Sequence, residues 1–142
     1  MTGVEAARLS RFSISVRVYW EDTDAQGVVY YANYFRFMER ARSEWLRARG
    51  VGQALLAADQ GLVFSVVETG LKFLRPARHD DLLDVSAELT DVRGARFRFI
   101  QDIRRDGPDG ELLCTGHCQA ACIDATTFKP RRLPRGLFGE PE

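Results

Sequence analysis

Glu21, Asp22 and Asp24 place three carboxylates within four residues, and aromatic side chains gather around them. Tyr19 to Phe37 holds all four tyrosines of the chain and seven of its 15 aromatic residues. Aromatics at a strand end and on a helix face are ordinary core, and Asp or Thr in a loop ordinarily serves a turn. Those roles leave unexplained why the carboxylates are followed by Gly27 and an apolar loop, Val28-Val29-Tyr30-Tyr31, that leads into a helix. A carboxylate held beside a helix N-terminus and aromatic walls is a place where a carbonyl can be polarised and attacked.

Other residue types offer less. Cys114, Cys118 and Cys122 are odd in number and close together, which argues against a disulfide framework and for a reducing compartment. The expected location is cytoplasmic, free or peripheral to the inner membrane. On a strand the three thiols would share a face but spread along it, too far apart to hold one ion, so no metal site is expected and buried thiols are. His79 and His117 have no neighbour in sequence that makes an acid–base pair, and surface or strand positions suit both.

The chain that must position these groups has 142 residues, 45% of them hydrophobic, with 20 basic and 20 acidic side chains. This length fits a single domain, 1–142, with a core over about 12–125 and an irregular tail. Zero formal net charge removes the general electrostatic case for nucleic acid. No apolar run approaches a membrane span, and the segment up to Arg11 lacks the apolar stretch of a secretory signal.

Phe12, Ile14, Val16, Val18 and Trp20 alternate with Ser13, Ser15, Arg17 and Tyr19, the period of a half-buried strand. A loop over Glu21 to Ala32 follows. Tyr34, Phe37, Met38, Ala41 and Trp45 recur at helical spacing, with Asn33 to cap that helix and Gly50 to close it. Val51 to Asp59 adds a short helical segment. Leu62 to Leu74 reads as a strand with a bulge or bend at Gly70. Leu83 to Thr90, Arg96 to Arg104 and Leu112 to Ile123 are further strands, joined by turns at Arg93-Gly94 and Asp106 to Gly110. The last segment, Lys129 to Glu142, carries Pro and Arg. One strand, one long helix and four strands in meander-like succession make an α+β domain with a mostly antiparallel sheet. One helix covers one face only, so a homo-oligomer is expected to hide what remains.

Arg17-Val18-Tyr19-Trp20-Glu21-Asp22-Thr23-Asp24-Ala25-Gln26-Gly27-Val28-Val29-Tyr30-Tyr31-Ala32-Asn33-Tyr34 resembles the signature of the hotdog-fold acyl-CoA thioesterases. Within them it is similar to the 4-hydroxybenzoyl-CoA thioesterase family, on the branch of the Tol–Pal-associated acyl-CoA thioesterases. The resemblance returns at Phe37-Met38-Glu39-Arg40-Ala41-Arg42, Leu74-Arg75-Pro76-Ala77-Arg78, Asp80-Asp81-Leu82, Gly110-Glu111-Leu112-Leu113 and Lys129-Pro130-Arg131-Arg132-Leu133-Pro134. It implies a hotdog fold, one long helix wrapped by a curved, mostly antiparallel five-stranded sheet. It further implies a homodimer or homotetramer with active sites at the subunit interface.

The resemblance makes Asp24 the catalytic carboxylate, as nucleophile or as general base toward water. It assigns the backbone N–H of Tyr31 to the thioester oxygen; the side chain there is a departure, because Tol–Pal-associated members often carry His. Gln26, where Gly is common, is a second departure. Asn33 caps the helix and orders the loop. The acyl group would lie among Tyr30, Tyr34, Val63 and Phe64. The phosphates of coenzyme A need cations, for which Arg75, Arg78, Arg93, Arg96, Lys129, Arg131 and Arg132 are available, Arg93 and Arg96 flanking the best-placed turn. No cofactor is implied beyond the coenzyme A of the substrate.

The activity implied is hydrolysis of an acyl-CoA, or of an acyl-carrier-protein thioester, to a carboxylic acid and the free thiol. A hotdog dehydratase asks for a His in the helix region, and none precedes His79. A non-catalytic acyl-CoA or acyl-carrier-protein binding module, or an envelope-associated interaction module, is the alternative on the same fold; an intact Asp24 weighs against it.

Overall fold

The computed structural model describes residues 11–139. The expectations for the segment before Arg11 and for the last three residues lie outside them. Strand β1 (Arg11–Arg17) is followed by a 3-10 turn (Trp20–Asp22), helix α1 (Ala32–Ala48) and helix α2 (Gln53–Gln60). Four strands complete the chain: β2 (Leu62–Phe73), β3 (Leu82–Arg93), β4 (Arg96–Arg105) and β5 (Leu112–Asp124). No helix among the described residues is long and apolar enough to cross a membrane.

The five strands form one antiparallel sheet in the order β1-β3-β4-β5-β2. Only β3, β4 and β5 form a meander. The expected succession of four neighbouring strands is wrong for β2, which leaves α2 and pairs with β5 at the far edge. Helix α1 packs on β1 and β3, and α2 lies against β2 at the far edge.

Helix α1 buries Tyr34, Phe37, Met38, Ala41, Trp45 and Leu46, one stripe at helical spacing. Each large side chain removed from water contributes roughly 1.5–3 kcal/mol. Facing them are Leu83, Val85, Ala87 and Leu89 of β3 and Phe97, Phe99 and Ile103 of β4. Trp45 meets Phe99 edge-on with ring centroids 5.1 Å apart. The helix ends as Gly50 turns to φ +80°, a conformation open to glycine at no steric cost.

Three local expectations are corrected. The first strand stops at Arg17, and Trp20 opens the 3-10 turn with its indole 69% exposed and stacked on His79 at 3.4 Å. The bulge in β2 lies at Val67, between the Val66–Ala120 and Glu68–Gln119 pairs, and not at Gly70. Gly70 keeps regular register opposite His117, whose imidazole lies so close that an added Cβ would sit 2.8 Å from its Cε1. Asn33 does not cap α1: the helix starts at Ala32 with Tyr31 in the cap position.

The core also reaches past residue 125. Pro130 bridges to Ile123, and the N–H groups of Arg131 and Leu133 donate to the carbonyls of Cys122 and Gly94. The tail thereby delivers Phe138, 2% exposed, between Trp45 and Phe97 at 5.7 and 5.1 Å. It plugs the end of the layer between α1 and the sheet.

Candidate active site

The loop from Trp20 to Tyr31 is held by its own backbone. Asp24 N–H donates to Val28 O at 2.9 Å and Gly27 N–H to Asp24 O at 3.0 Å, and Gly27 supplies the positive φ (+79°) this tight turn requires. Thr23 bridges to Val29 and Val28 to Arg78, so the loop forms a short ribbon against the segment before β3. Asp22 is structural: its Oδ2 accepts from Tyr19 N–H at 2.8 Å, and its carbonyl accepts from Tyr30 N–H and from Asn33 Nδ2, both at 2.9 Å. Asn33 therefore orders the loop by tying Asp22 to the first turn of α1.

Asp24 is half-buried, and its Oδ1 accepts from the backbone N–H of Gln26 at 2.9 Å. With its amide nitrogen turned to the carboxylate, the Gln26 side chain donates to Oδ1 at 3.1 Å and Oδ2 at 3.2 Å. At the other end of the loop the N–H groups of Tyr30, Asn33 and Tyr34 have backbone acceptors, whereas that of Tyr31 has none among the described residues. Tyr31 N–H belongs to the set of helix-start donors that carry partial positive charge. Its phenol ring lies outward, 59% exposed, 4.9 Å from Tyr30 and 6.4 Å from Phe73.

A second segment clamps this loop from below. Val29 N–H donates to Ala77 O at 2.8 Å, and Ala77 N–H donates to the Tyr34 hydroxyl at 3.0 Å. Tyr34 is 4% exposed with its ring 5.3 Å from Phe73, and burial raises the pKa of its phenol. Arg105 spans the same segment, donating to Pro76 O at 2.6 Å, to Asp81 at 3.1 Å and to Glu111 at 2.6 Å. Its guanidinium is held charged above its ordinary range by Asp81 and Glu111 against the opposing effect of burial. Sequence reasoning overlooked Arg105, Gln26 as a carboxylate partner, and the Trp20–His79 stack. The signal available for Arg105 was its place at the end of β4, across from an acidic turn.

The residues expected to share a substrate fall into two groups. Asp24, Tyr30, Tyr31, Asn33, Tyr34 and the exposed Arg75 gather where Phe73 pairs with Cys114. Phe64, Arg93 and Arg96 lie where β5 reaches Ala121 and Cys122. Phe64 packs on Phe97 at 5.0 Å, and Arg93, on the β3–β4 hairpin, reaches Asp91 at 3.3 Å. Seven residues of β5 separate the two ends, about 23 Å at the rise of a strand.

Cys114, Cys118 and Cys122 follow one another along the inward face of β5 as free, buried thiols. Burial pushes all three up, Cys114 to about 12, so they are neutral and unreactive at ordinary pH.

Comparison with known proteins agrees with the fold. The family model of the thioesterase-like superfamily matches residues 18–138. The acyl-CoA thioester hydrolase YbgC of Escherichia coli O6:H1 is 40% identical over 129 residues, 91% of this chain and 94% of that protein. The acyl-CoA thioesterase YbgC of Haemophilus influenzae is 41% identical over 124 residues, 87% of this chain and 89% of that one. A probable thioesterase from Bartonella henselae superimposes with a TM-score of 0.79 at 40% identity, over 87% of this chain and 99% of that chain. The chain therefore belongs to the thioesterase-like superfamily, as a hotdog-fold thioesterase of the 4-hydroxybenzoyl-CoA thioesterase family.

Proposed function

We propose that this protein is an acyl-CoA thioesterase that cleaves the thioester with water, giving a carboxylic acid and free coenzyme A, through Asp24 and the N–H of Tyr31. The carrying observation is that one loop presents, at its two ends, a half-buried carboxylate and an unshared helix-start N–H. The thioester oxygen accepts from Tyr31 N–H, which stabilises the negative charge that develops as the carbonyl carbon becomes tetrahedral. Asp24 either attacks the carbonyl carbon itself or takes a proton from a water that attacks in its place. In the first case the thiolate is expelled and an acyl–aspartyl anhydride is left, which water then hydrolyses to the acid and free Asp24; in the second the thiolate leaves as the tetrahedral intermediate collapses. The same phosphopantetheine arm on an acyl carrier protein is a competing donor, read in the same assay. Three buried free thiols support a reducing compartment, the cytoplasm.

The working unit on this reading is a homodimer, or a tetramer built from it. Strand β2 is a 12-residue sheet edge with Val66, Val67 and Phe73 each about half exposed. A long apolar edge left open is a template for pairing with another chain. Antiparallel pairing of two β2 edges brings the Phe64 end of one copy beside the Phe73 end of the other. Phe64, Arg93 and Arg96 of one copy then reach the Asp24 loop of the other, with Arg75 beside it, for the acyl group and the phosphates.

Thiol release from short, long and aromatic acyl-CoAs, with Asp24→Asn alongside, tests the chemistry. At least one substrate is expected to turn over, with a loss of about 10³-fold or more in the variant, the scale of removing a reacting group. Full activity in Asp24→Asn sinks the assignment. Solution mass should be a multiple of the 16.1 kDa protomer, and a strict monomer contradicts the shared site.

A further inference from the structure

The 3-10 turn Trp20–Asp22 is bonded to both ends of the Asp24 loop. Its Trp20 carbonyl accepts from Thr23 N–H at 3.1 Å and from Thr23 Oγ1 at 2.8 Å, one residue before Asp24. Its Asp22 carbonyl accepts from Tyr30 N–H and Asn33 Nδ2, on either side of Tyr31. A tilt of this one turn therefore moves the carboxylate and the helix-start N–H together.

Burial does not hold the turn in place. None of its three residues is buried, and 3-10 hydrogen bonds have poorer geometry than those of an α-helix. A planar contact to the body of the domain stands in for burial. The Trp20 indole lies on the His79 imidazole with ring centroids 3.4 Å apart and planes 11° from parallel. An indole left 69% exposed gains little from burial, so the stack accounts for its orientation.

His79 can anchor this contact because its own turn is fixed from several directions. Asp80 N–H donates to Val18 O at 3.0 Å, and Val18 N–H donates to Asp81 O at 2.9 Å. Arg105 reaches the Asp81 carboxylate from β4 at 3.1 Å, and Arg78 N–H donates to the same oxygen at 2.8 Å. Asp80 takes φ +71°, a left-handed conformation that Asp adopts more readily than most side chains. Its carboxylate lies 3.5 Å from His79 Nδ1. The same segment also holds the far limb of the loop, through the Arg78–Val28 bridge and the bond from Val29 N–H to Ala77 O.

We propose that His79 is a positioning residue for the reaction: through its stack on Trp20 it sets the 3-10 turn, and with it the placement of Asp24 relative to Tyr31 N–H. The proposal rests on the reading that these two groups cleave the thioester. His79 acts through Trp20 and not on the thioester itself. Its effect is geometric, and a misplacement of about 1 Å costs up to about 10²-fold in rate.

The test compares wild type and Asp24→Asn with His79→Ala, His79→Phe, Trp20→Ala and the double variant Trp20→Ala/His79→Ala. Thiol release gives kcat and KM. Amide hydrogen exchange, followed by mass spectrometry, reports on the peptide that carries the loop from Trp20 to Tyr31. His79→Ala should lower kcat about tenfold with KM within about twofold of wild type. It should speed exchange of the loop peptide about two- to tenfold, the scale of one aromatic pair. His79→Phe keeps a flat ring for the indole and should return both measurements to within about threefold of wild type. The double variant should lose no more than Trp20→Ala alone, because the two rings act as one contact. Urea midpoints should stay near wild type throughout, which separates loss of position from loss of fold.

Wild-type kcat and exchange in His79→Ala, no rescue by His79→Phe, or additive losses in the double variant overturn the proposal. Full activity in Asp24→Asn beside faster loop exchange in His79→Ala overturns the thioesterase assignment of the loop and leaves the stack as its anchor. An inactive Asp24→Asn beside an unaltered His79→Ala does the reverse.

Discussion

Gln26 faces Asp24 from two directions: its backbone N–H donates to Oδ1 at 2.9 Å, and with its amide nitrogen turned to the carboxylate its side chain donates to the two oxygens at 3.1 and 3.2 Å. The first contact is the turn itself and survives any side chain at this position. The second depends on the amide. Gln26→Ala should therefore keep the loop and lower kcat by about tenfold with little change in KM, the scale of one hydrogen bond to a charged group. Steady-state thiol release checks it; an unchanged kcat shows that the amide does not orient Asp24.

Tyr31 offers a cleaner separation of backbone from side chain. Its φ of −55° lies in the range a proline ring imposes, and the start of a helix tolerates proline. Tyr31→Pro should lower kcat by about 10²–10³-fold by deleting the N–H, the loss typical of one oxyanion donor. Tyr31→Phe should stay close to wild type. Circular dichroism of Tyr31→Pro must remain native for the comparison to count, and a fully active proline variant would exclude the N–H from the chemistry.

Phe138 makes the tail part of the core. Its ring closes a cluster with Trp45, Phe97 and Phe64 at 5.7, 5.1 and 6.2 Å. Phe138→Ala should cost about 3–5 kcal/mol, the range for deleting a buried Phe. Urea unfolding measures it. A loss below about 1 kcal/mol, the ordinary effect of a surface change, would mean that the tail contributes no packing.

Cys114 predicts a pH dependence at the alkaline end. Burial holds its thiol protonated to about 12, against an ordinary value of 9.0. Above 9 the unfolded chain gives up this proton while the folded chain keeps it, so the folded state binds more protons and stability falls as pH rises toward 12. The contribution is intact below the unfolded value. Denaturant midpoints across pH 8 to 11 should fall, and Cys114→Ala should flatten that fall; a thiol reagent at neutral pH should label none of the three cysteines until the chain unfolds.

Much of the fold was legible in local patterns. The spacing of Tyr34, Phe37, Met38, Ala41 and Trp45 marks α1, and the alternation of Leu83, Val85, Ala87 and Leu89 marks β3, because side-chain direction follows backbone period. The turn at Gly27 and the start of α1 just after Tyr31 were legible for a related reason, whereas the roles given to Asp24 and Tyr31 rest on the family resemblance. Asn33 was visible as a polar residue at the helix start, but its true partner, the carbonyl of Asp22, depends on how the 3-10 turn folds back.

What the sequence alone determined, then, is the set of elements and the order of chemical groups along the Asp24 loop. Tertiary structure decided the rest. It sent β2 to the far edge beside β5, set Gly70 under the His117 ring, drew Phe138 into the core and put Gln101 behind Arg42. Each of these pairs residues tens of positions apart, and no local period encodes such a pairing. It arises only when closing the long loops is repaid by burial and by hydrogen bonds that the assembled sheet and helix make together.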